Sequence, residues 1–528
     1  MTRISIDSGL ESTRPPCLRC RFVFCPTRRK TFGREIFLCS ARGQGSRDVT
    51  SSQGEVVPSL LRRSGMEVVT SRLEAMGEDD LQQQLWFIRA SLTALAIENN
   101  THSPPEASPL PELADDRSPQ KSTYERVALA AAQRLFDLAL RESGKASWLG
   151  LAKTRSRGWW LRPLDADLYA GLPGVTIFLA QAGEVLGEPK FTVLAREALA
   201  TLSHQLDRRD DVHFVGAYDG WGGLLYTWLY LGLLWQDEEL IEKGDHAREK
   251  IAEILHKDGD LDLVRGSVGG IQPLLALHEV TGSSEALHLA RRLGDRILEK
   301  ATPFEDGLCW FTESFPVHPL TGLSHGNAGF AWSLLRLSDA LGDDKYRDAG
   351  RKAINFESRF FSKREQNWMD LRPIQAKLGA ADYESECTFS TSWCHGAVGV
   401  GLARLESMRF LGADEVMGDL EVAVQTAIRT GFGVSHCLCH GDMGNVELLL
   451  RFLEISKDPK LAATAEQVVS RTLDEIAEKG FRSGVPFNVE TPGLMEGLAG
   501  IGYGFLRLAT EGRIPSVLTL QLPPRNRL

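Results

Sequence analysis

WCHGAVG at 393–399 and LCHGDMG at 438–444 place a Cys-His-Gly tripeptide in the same frame twice, 45 residues apart. The frame recurs without that pairing in YAGLPGV from Tyr169, YDGWGGL from Tyr218, VRGSVGG from Val264, SHGNAGF from Ser324 and MEGLAGI from Met495, which makes seven GxxG turns. Each turn opens an apolar segment such as FAWSLLRLSDALG, and amphipathic segments alternate with these. In ELIEKGDHAREKIAEIL at 239–255, Leu240, Ile241, Ala247, Ile251, Ile254 and Leu255 recur at helical spacing. A unit of 45 to 70 residues that cannot bury its own apolar face predicts a helical repeat architecture. The first outer helix, in STYERVALAAAQRLFDLALRES, precedes the first turn, and the last inner helix, GIGYGFLRLAT, nearly ends the chain. Inner helices without polar caps at either end of the array favour a closed ring over an open solenoid, so the expected fold is all-α: an (α/α)7 toroid of seven outer–inner helix pairs.

The rest of the 528 residues bounds the function. A net charge of −10 offers no basic footprint for nucleic acid or an anionic membrane. The apolar run LLYTWLYLGLLW at 224–235 is too short to span a bilayer and is read as a buried helix. Nine cysteines scattered over a long chain do not form a disulfide framework, and a cytoplasmic setting is expected. The amino terminus has no apolar core for a secretory signal, although its Arg and Ser content leaves an organelle-transit reading open. Residues 1–65 are read as a poorly ordered leader, in which Cys17 and Cys20 have zinc-knuckle spacing but no second well-spaced pair. Residues 66–100 are read as helical, 101–120 as a linker with five prolines, 121–515 as the repeat domain and 516–528 as a tail.

Equivalent turns of a ring emerge on one face, so position in the repeat becomes position in space. The residue before each first glycine is, in order, Ala170, Asp219, Arg265, His325, His395, His440 and Glu496, and the fifth and sixth turns add Cys394 and Cys439. Two thiols with one or two imidazoles suit Zn²⁺, and two thiolates plus one imidazole leave its fourth tetrahedral position open. Whether His395 joins His440 as a ligand is left open by spacing, because neighbouring side chains in a turn point different ways. Trp393 is read as packing, and His436 and Cys437 fall outside the turn frame.

SHG, WCHG, LCHGDMGN and PGLMEGLAGIGY, in that order on a sevenfold repeat, resemble the lanthionine synthetase C-like cyclase family over about 120–512. EDDLQQQLWFIRASL at 78–92 resembles the dehydratase–cyclase junction of class II lanthipeptide synthetases, of which only the tail of the dehydratase region is expected here. The resemblance implies zinc held by Cys394, Cys439 and His440, with His325 as acid/base residue and Asp262 at the family's acidic position. It implies that a peptide Cys thiol adds to dehydroalanine or dehydrobutyrine to form a thioether ring. The expected partners are a dehydrated lanthipeptide precursor and a separate dehydratase, with no nucleic acid and no membrane span. His395 would support the ligands or substrate through hydrogen bonds. A zinc toroid that only binds peptides or thiols, and a zinc enzyme acting on a small thiol such as glutathione, are the alternatives.

Overall fold

A computed structural model describes residues 38–39, 45–51, 56–74, 76–98, 119–153, 158–208, 212–374 and 383–525. Cys17, Cys20, Cys25, the side chain of Cys39 and linker residues 101–118 lie outside the described residues. The contacts divide the chain into two units, Met1–Leu81 and Gln82–Leu528. In the first, strands Leu38–Cys39, Val49–Ser51 and Val56–Val57 pair antiparallel, and helix Gly65–Glu74 is capped by Ser64, whose Oγ accepts from Glu67 N at 3.1 Å.

The second unit contains the repeats. Its helices are α1 (Lys121–Leu138), α2 (Leu172–Leu186), α3 (Pro189–Leu206), α4 (Trp221–Trp235), α5 (Glu238–Ile254), α6 (Ser267–Thr281) and α7 (Ser284–Glu299). They continue as α8 (Asn327–Leu341), α9 (Asp344–Arg359), α10 (Ala397–Leu411), α11 (Ala413–Thr430), α12 (Asp442–Ser456), α13 (Pro459–Lys479) and α14 (Leu498–Ala509). Even-numbered helices are inner and buried along most of their length, and odd-numbered helices bury one face. The apolar run at 224–235 lies in α4, buried from Trp221 to Leu233. Among the described residues no helix is long and apolar enough to cross a membrane.

The ring is closed. Each inner helix packs on the next, α2 on α4, α4 on α6 and so on to α12 on α14, and α14 packs back on α2. The helix pairing differs in one respect from the outer-then-inner order of the sequence: each inner helix forms a hairpin with the outer helix that follows it, and α14 takes α1 as its partner. The cause is connection length. Only Gly187 and Glu188 separate α2 from α3, which forces an antiparallel hairpin, whereas the outer-to-inner links are long.

The GxxG glycines are explained by close approach. The first is the N-cap of each inner helix, at Gly171, Gly220, Gly266, Gly326, Gly396, Gly441 and Gly497. The second sits on a backbone carbonyl six residues earlier. A Cβ on Gly223 would stand 2.5 Å from Ala217 O, and Gly329, Gly399 and Gly444 face Leu323, Trp393 and Leu438 carbonyls in the same way.

Backbone hydrogen bonds then link turn to turn: Tyr169 N to Tyr218 O (3.0 Å), Tyr218 N to Val264 O (3.1 Å), Leu263 N to Ser324 O (3.2 Å) and Ser324 N to Cys394 O (3.2 Å). Cys439 N donates to Met495 O and Met495 N to Tyr169 O, both at 2.8 Å. Six of the seven junctions are thus bridged, and among the described residues the junction between the Cys394 and Cys439 turns has no such bond.

Ser516–Leu520, assigned to a tail by sequence pattern, is buried inside the ring. Donors of the turns and inner helices hold this segment: Tyr218 Oη to Val517 O (2.9 Å), Trp393 Nε1 to Leu518 O (3.1 Å), Tyr226 Oη to Gln521 O (2.8 Å) and Tyr503 Oη to Pro515 O (2.6 Å). Helix Glu78–Glu98, which begins in the first unit, contributes Trp86, Ala90 and Ala94 to the core, and Trp86 Nε1 donates to Glu490 O at 3.1 Å.

Gly223→Ala is expected to destabilise the fold by about 1–3 kcal/mol through overpacking against a carbonyl. Gly418→Ala, on the open face of α11 where a Cβ meets nothing within 4 Å, is expected to be neutral or to stabilise by up to about 1 kcal/mol. Urea unfolding of both variants measures the contrast.

Candidate active site

Asp262 and three residues of the turn frame, His325, Cys394 and Cys439, form two pairs. His325, in the turn before α8, directs Nδ1 to Asp262 Oδ2 at 2.7 Å. Asp262 is fully buried before α6, and its other oxygen accepts Arg265 N at 2.8 Å. Asp262 therefore both caps its own turn and orients the imidazole. The His325 side chain remains 23% exposed, with Phe315 packed on it at 5.1 Å between centroids.

The second pair is Cys394 and Cys439, whose thiols hydrogen-bond across the junction that lacks a backbone bridge. That hydrogen bond, aided by His395 and His440, draws the Cys394 thiol well below its ordinary range, and it pushes Cys439 up together with burial. Gly396, the N-cap after Cys394, has φ of 74° and would clash with Ser390 O if it carried a Cβ, so this turn accepts only glycine. Ser392 Oγ lies 3.3 Å from Cys394 Sγ and supports the thiol from its own turn.

His440 is held by the segment before the seventh turn. Its Nε2 lies 2.9 Å from Gly484 O, which leaves Nδ1 as the nitrogen for a ligand. Gly484 is required for this approach, since a Cβ there would stand 2.8 Å from His440 Nε2 and from Cys437 Sγ. His436 anchors the same segment: its N donates to Arg482 O at 2.8 Å and its Nδ1 accepts Arg482 N at 3.0 Å.

His395 is 1% exposed, with Nδ1 3.3 Å from Thr321 O and its ring 6.0 Å from that of His325. Burial holds its pKa below the ordinary value. Among the described residues, no three His, Cys, Asp or Glu side chains form an assembled metal-holding group. The donor set still suits zinc, with two thiols in contact and one imidazole fixed through its far nitrogen.

Four residues around the thiols, Asp370, Arg372, Ser390 and Tyr169, are not marked as site residues by the sequence pattern. Arg372 acts electrostatically on both cysteines and forks onto buried Asp370, with Nε at 2.9 Å from Oδ1. Ser390 Oγ adds a 3.0 Å hydrogen bond to the same carboxylate. Asp370, Arg372 and Ser390 come from the long connection before the fifth turn, where no repeat pattern marks them. Tyr169 hydrogen-bonds with Cys439 and lies 3.2 Å from Glu496, and burial pushes its phenol well above its usual range. Tyr169 was findable, because it occupies the frame position of Cys394 and Cys439 in the first turn.

The comparisons agree with this architecture. Among solved structures the chain resembles nisin cyclase, with a TM-score of 0.53 and 18% identity, covering 76% of this chain and 97% of that one; this likeness shows the fold. The model of the family described as lanthionine synthetase C-like protein matches residues 162–519, and the chain belongs to that family. The curated lacticin 481/lactococcin biosynthesis protein LcnDR2 of Lactococcus lactis subsp. lactis is 27% identical over 201 residues, 36% of this chain. The chain spans 20% of that relative's length.

His436 supplies a pH test of the scaffold. Burial depresses its pKa to about 3, so the folded protein keeps it neutral where an unfolded chain protonates near pH 6.5. Its contribution is complete above about pH 6.5 and is lost as pH falls toward about 3. Between pH 7 and pH 5 the wild type should lose about 2 kcal/mol more than His436→Asn, measured by urea unfolding at the two pH values.

Proposed function

We propose that this chain is a zinc-dependent lanthipeptide cyclase acting on a dehydrated precursor peptide. One observation carries the reading: a thiol pair and a carboxylate-oriented imidazole, from four separate repeats, face the same end of one ring. Family membership supports the reaction class, and the donor set supports zinc.

Cys394, Cys439 and His440 would hold the ion. Bound zinc supplies a Lewis-acid position at which a peptide thiol, ordinarily protonated near neutral pH, is stabilised as thiolate. In the overall reaction the peptide sulfur forms a bond to the β-carbon of dehydroalanine or dehydrobutyrine, the carbon–carbon π pair moves to the α-carbon and its carbonyl, and a proton is added at the α-carbon. The S–H proton lost and the C–H proton gained balance, so mass does not change. His325 delivers the proton, oriented by Asp262. Arg372, fixed by Asp370, lies where a guanidinium favours negative charge on sulfur or on the developing enolate. Phe315 narrows solvent access to His325. The dehydro residues would come from an elimination reaction on Ser or Thr of the precursor.

Metal analysis of protein expressed with zinc should give about one equivalent per chain, lost in Cys394→Ala and Cys439→Ala. Less than a tenth of an equivalent with the fold intact would sink the zinc reading. His325→Asn should retain metal while slowing ring closure by about 10²–10⁴-fold. The rate is followed as loss of alkylatable thiol on a dehydrated peptide, and a wild-type rate in this variant would remove His325 from proton transfer.

A further inference from the structure

We infer that the carboxyl-terminal segment Pro515–Gln521 is a positioning element for Cys394, acting through the indole of Trp393. The inference rests on the zinc reading above for its chemical purpose, but its geometry is independent of any metal.

Cys394 sits at the junction where the belt of turn-to-turn backbone bonds is interrupted, so its turn needs another restraint toward the axis of the ring. The residue before it provides one. Trp393 is fully buried, donates Nε1 to Leu518 O at 3.1 Å and meets Tyr218 edge-on at 4.8 Å between centroids. Tyr218 belongs to the second turn, across the ring, and its hydroxyl lies 3.1 Å from the same Leu518 carbonyl and 2.9 Å from Val517 O. One carbonyl of the terminal segment thus ties two turns that do not touch in sequence or repeat order.

The segment is itself rigidly placed. Val517, Leu518 and Leu520 are each 3% exposed or less, Ser516 N donates to Gln521 Oε1 at 3.0 Å, and Arg451 Nη1 reaches Thr519 Oγ1 at 3.3 Å. Tyr226, about two helical turns further along α4, holds Gln521 O at 2.8 Å, so the chain runs along the ring interior and comes up beneath the turns. A displacement of Trp393 away from Leu518 O would move the adjoining Cys394 as well, because the two share one tight turn closed by Ser392 N to His395 O at 3.2 Å. Leu518 O therefore sets the height and direction of the thiol relative to Cys439.

The test uses the full chain with Trp393→Phe, which keeps an aromatic ring and removes the indole donor together with one of its two fused rings, so Tyr218→Phe, which loses only a hydroxyl to the same carbonyl, is measured beside it. Tyr226→Phe is the control, because it removes a comparable hydrogen bond to the same segment away from the turns. Zinc affinity is measured by chelator competition, and in metal-free protein the rate of Cys394–Cys439 disulfide formation with diamide is read by peptide mapping. Diamide takes the two electrons and two protons and becomes the hydrazine. Trp393→Phe should weaken zinc binding about 10–100-fold, the usual cost of losing an outer support, and should slow the disulfide. Tyr226→Phe should lower thermal stability while leaving both unchanged. Should Trp393→Phe fail to fold, the Tyr218→Phe result in the same two assays decides. Unchanged disulfide formation in the Trp393 variant, or equal effects of both variants on zinc, would overturn the inference. A wild type that binds no zinc but shows the disulfide difference would refute the zinc reading and leave the positioning role standing.

Discussion

The belt of backbone hydrogen bonds from turn to turn is the constraint on which the site depends. Each GxxG turn is buried at the head of an inner helix, and its amides and carbonyls need partners. The neighbouring turn supplies them, from Tyr169 to Tyr218, on to Val264, Ser324 and Cys394, and from Cys439 through Met495 back to Tyr169. Each bond is modest in net stability, about 1 kcal/mol, but a buried amide left without it costs more. The belt therefore fixes every turn at the same height, and whatever side chain occupies a frame position is delivered to the same end of the ring. At the Cys394–Cys439 junction, side chains meet instead of backbones.

The long connections supply what the repeat cannot. The links before the fourth and fifth turns each begin with a β-hairpin, Thr302–Phe304 with Gly307–Cys309 and Phe361–Ser362 with Asn367–Trp368. They then return toward the site carrying Phe315 on one side and Asp370 with Arg372 on the other. A buried ion pair links these elements: Arg404 of α10 reaches Glu357 of α9 at 3.0 Å, and Glu357 accepts Gly322 N at 2.9 Å just before the His325 turn. The repeats give coarse position, and the insertions aim and cover the groups.

The ring was legible in the sequence because each repeat signs itself with two glycines and an apolar run. Cys394, Cys439, His325 and Asp262 were legible as deviations from that signature or by family motif, and the structure brings them together as two pairs. His440 is turned onto Gly484 O, a contact no spacing could reveal because it depends on a segment 44 residues later. Arg372 lay in an insertion with no periodic pattern to mark it. Apolar period identifies the helices but not their hairpin partners, which the short inner-to-outer links set. The terminal segment, read as a tail, is buried, and its carbonyls are the acceptors for three inner-facing aromatic donors.

Closure of α14 against α1 has a consequence for biosynthesis. The two helices pair although the whole succession of repeats lies between them, so the circle stays open until residues 498–509 have left the ribosome. Until then the nascent chain is an arc with apolar faces at both ends, one on α1 and one on whichever repeat has just emerged. Its final contacts are also among its most distant in sequence, which slows completion relative to the local hairpins. A ribosome stalled near the end would leave an arc that already contains Cys394, Cys439, His325 and Asp262 but lacks both its closing helix and the segment under Trp393. Such a chain presents exposed apolar surface for chaperones to recognise.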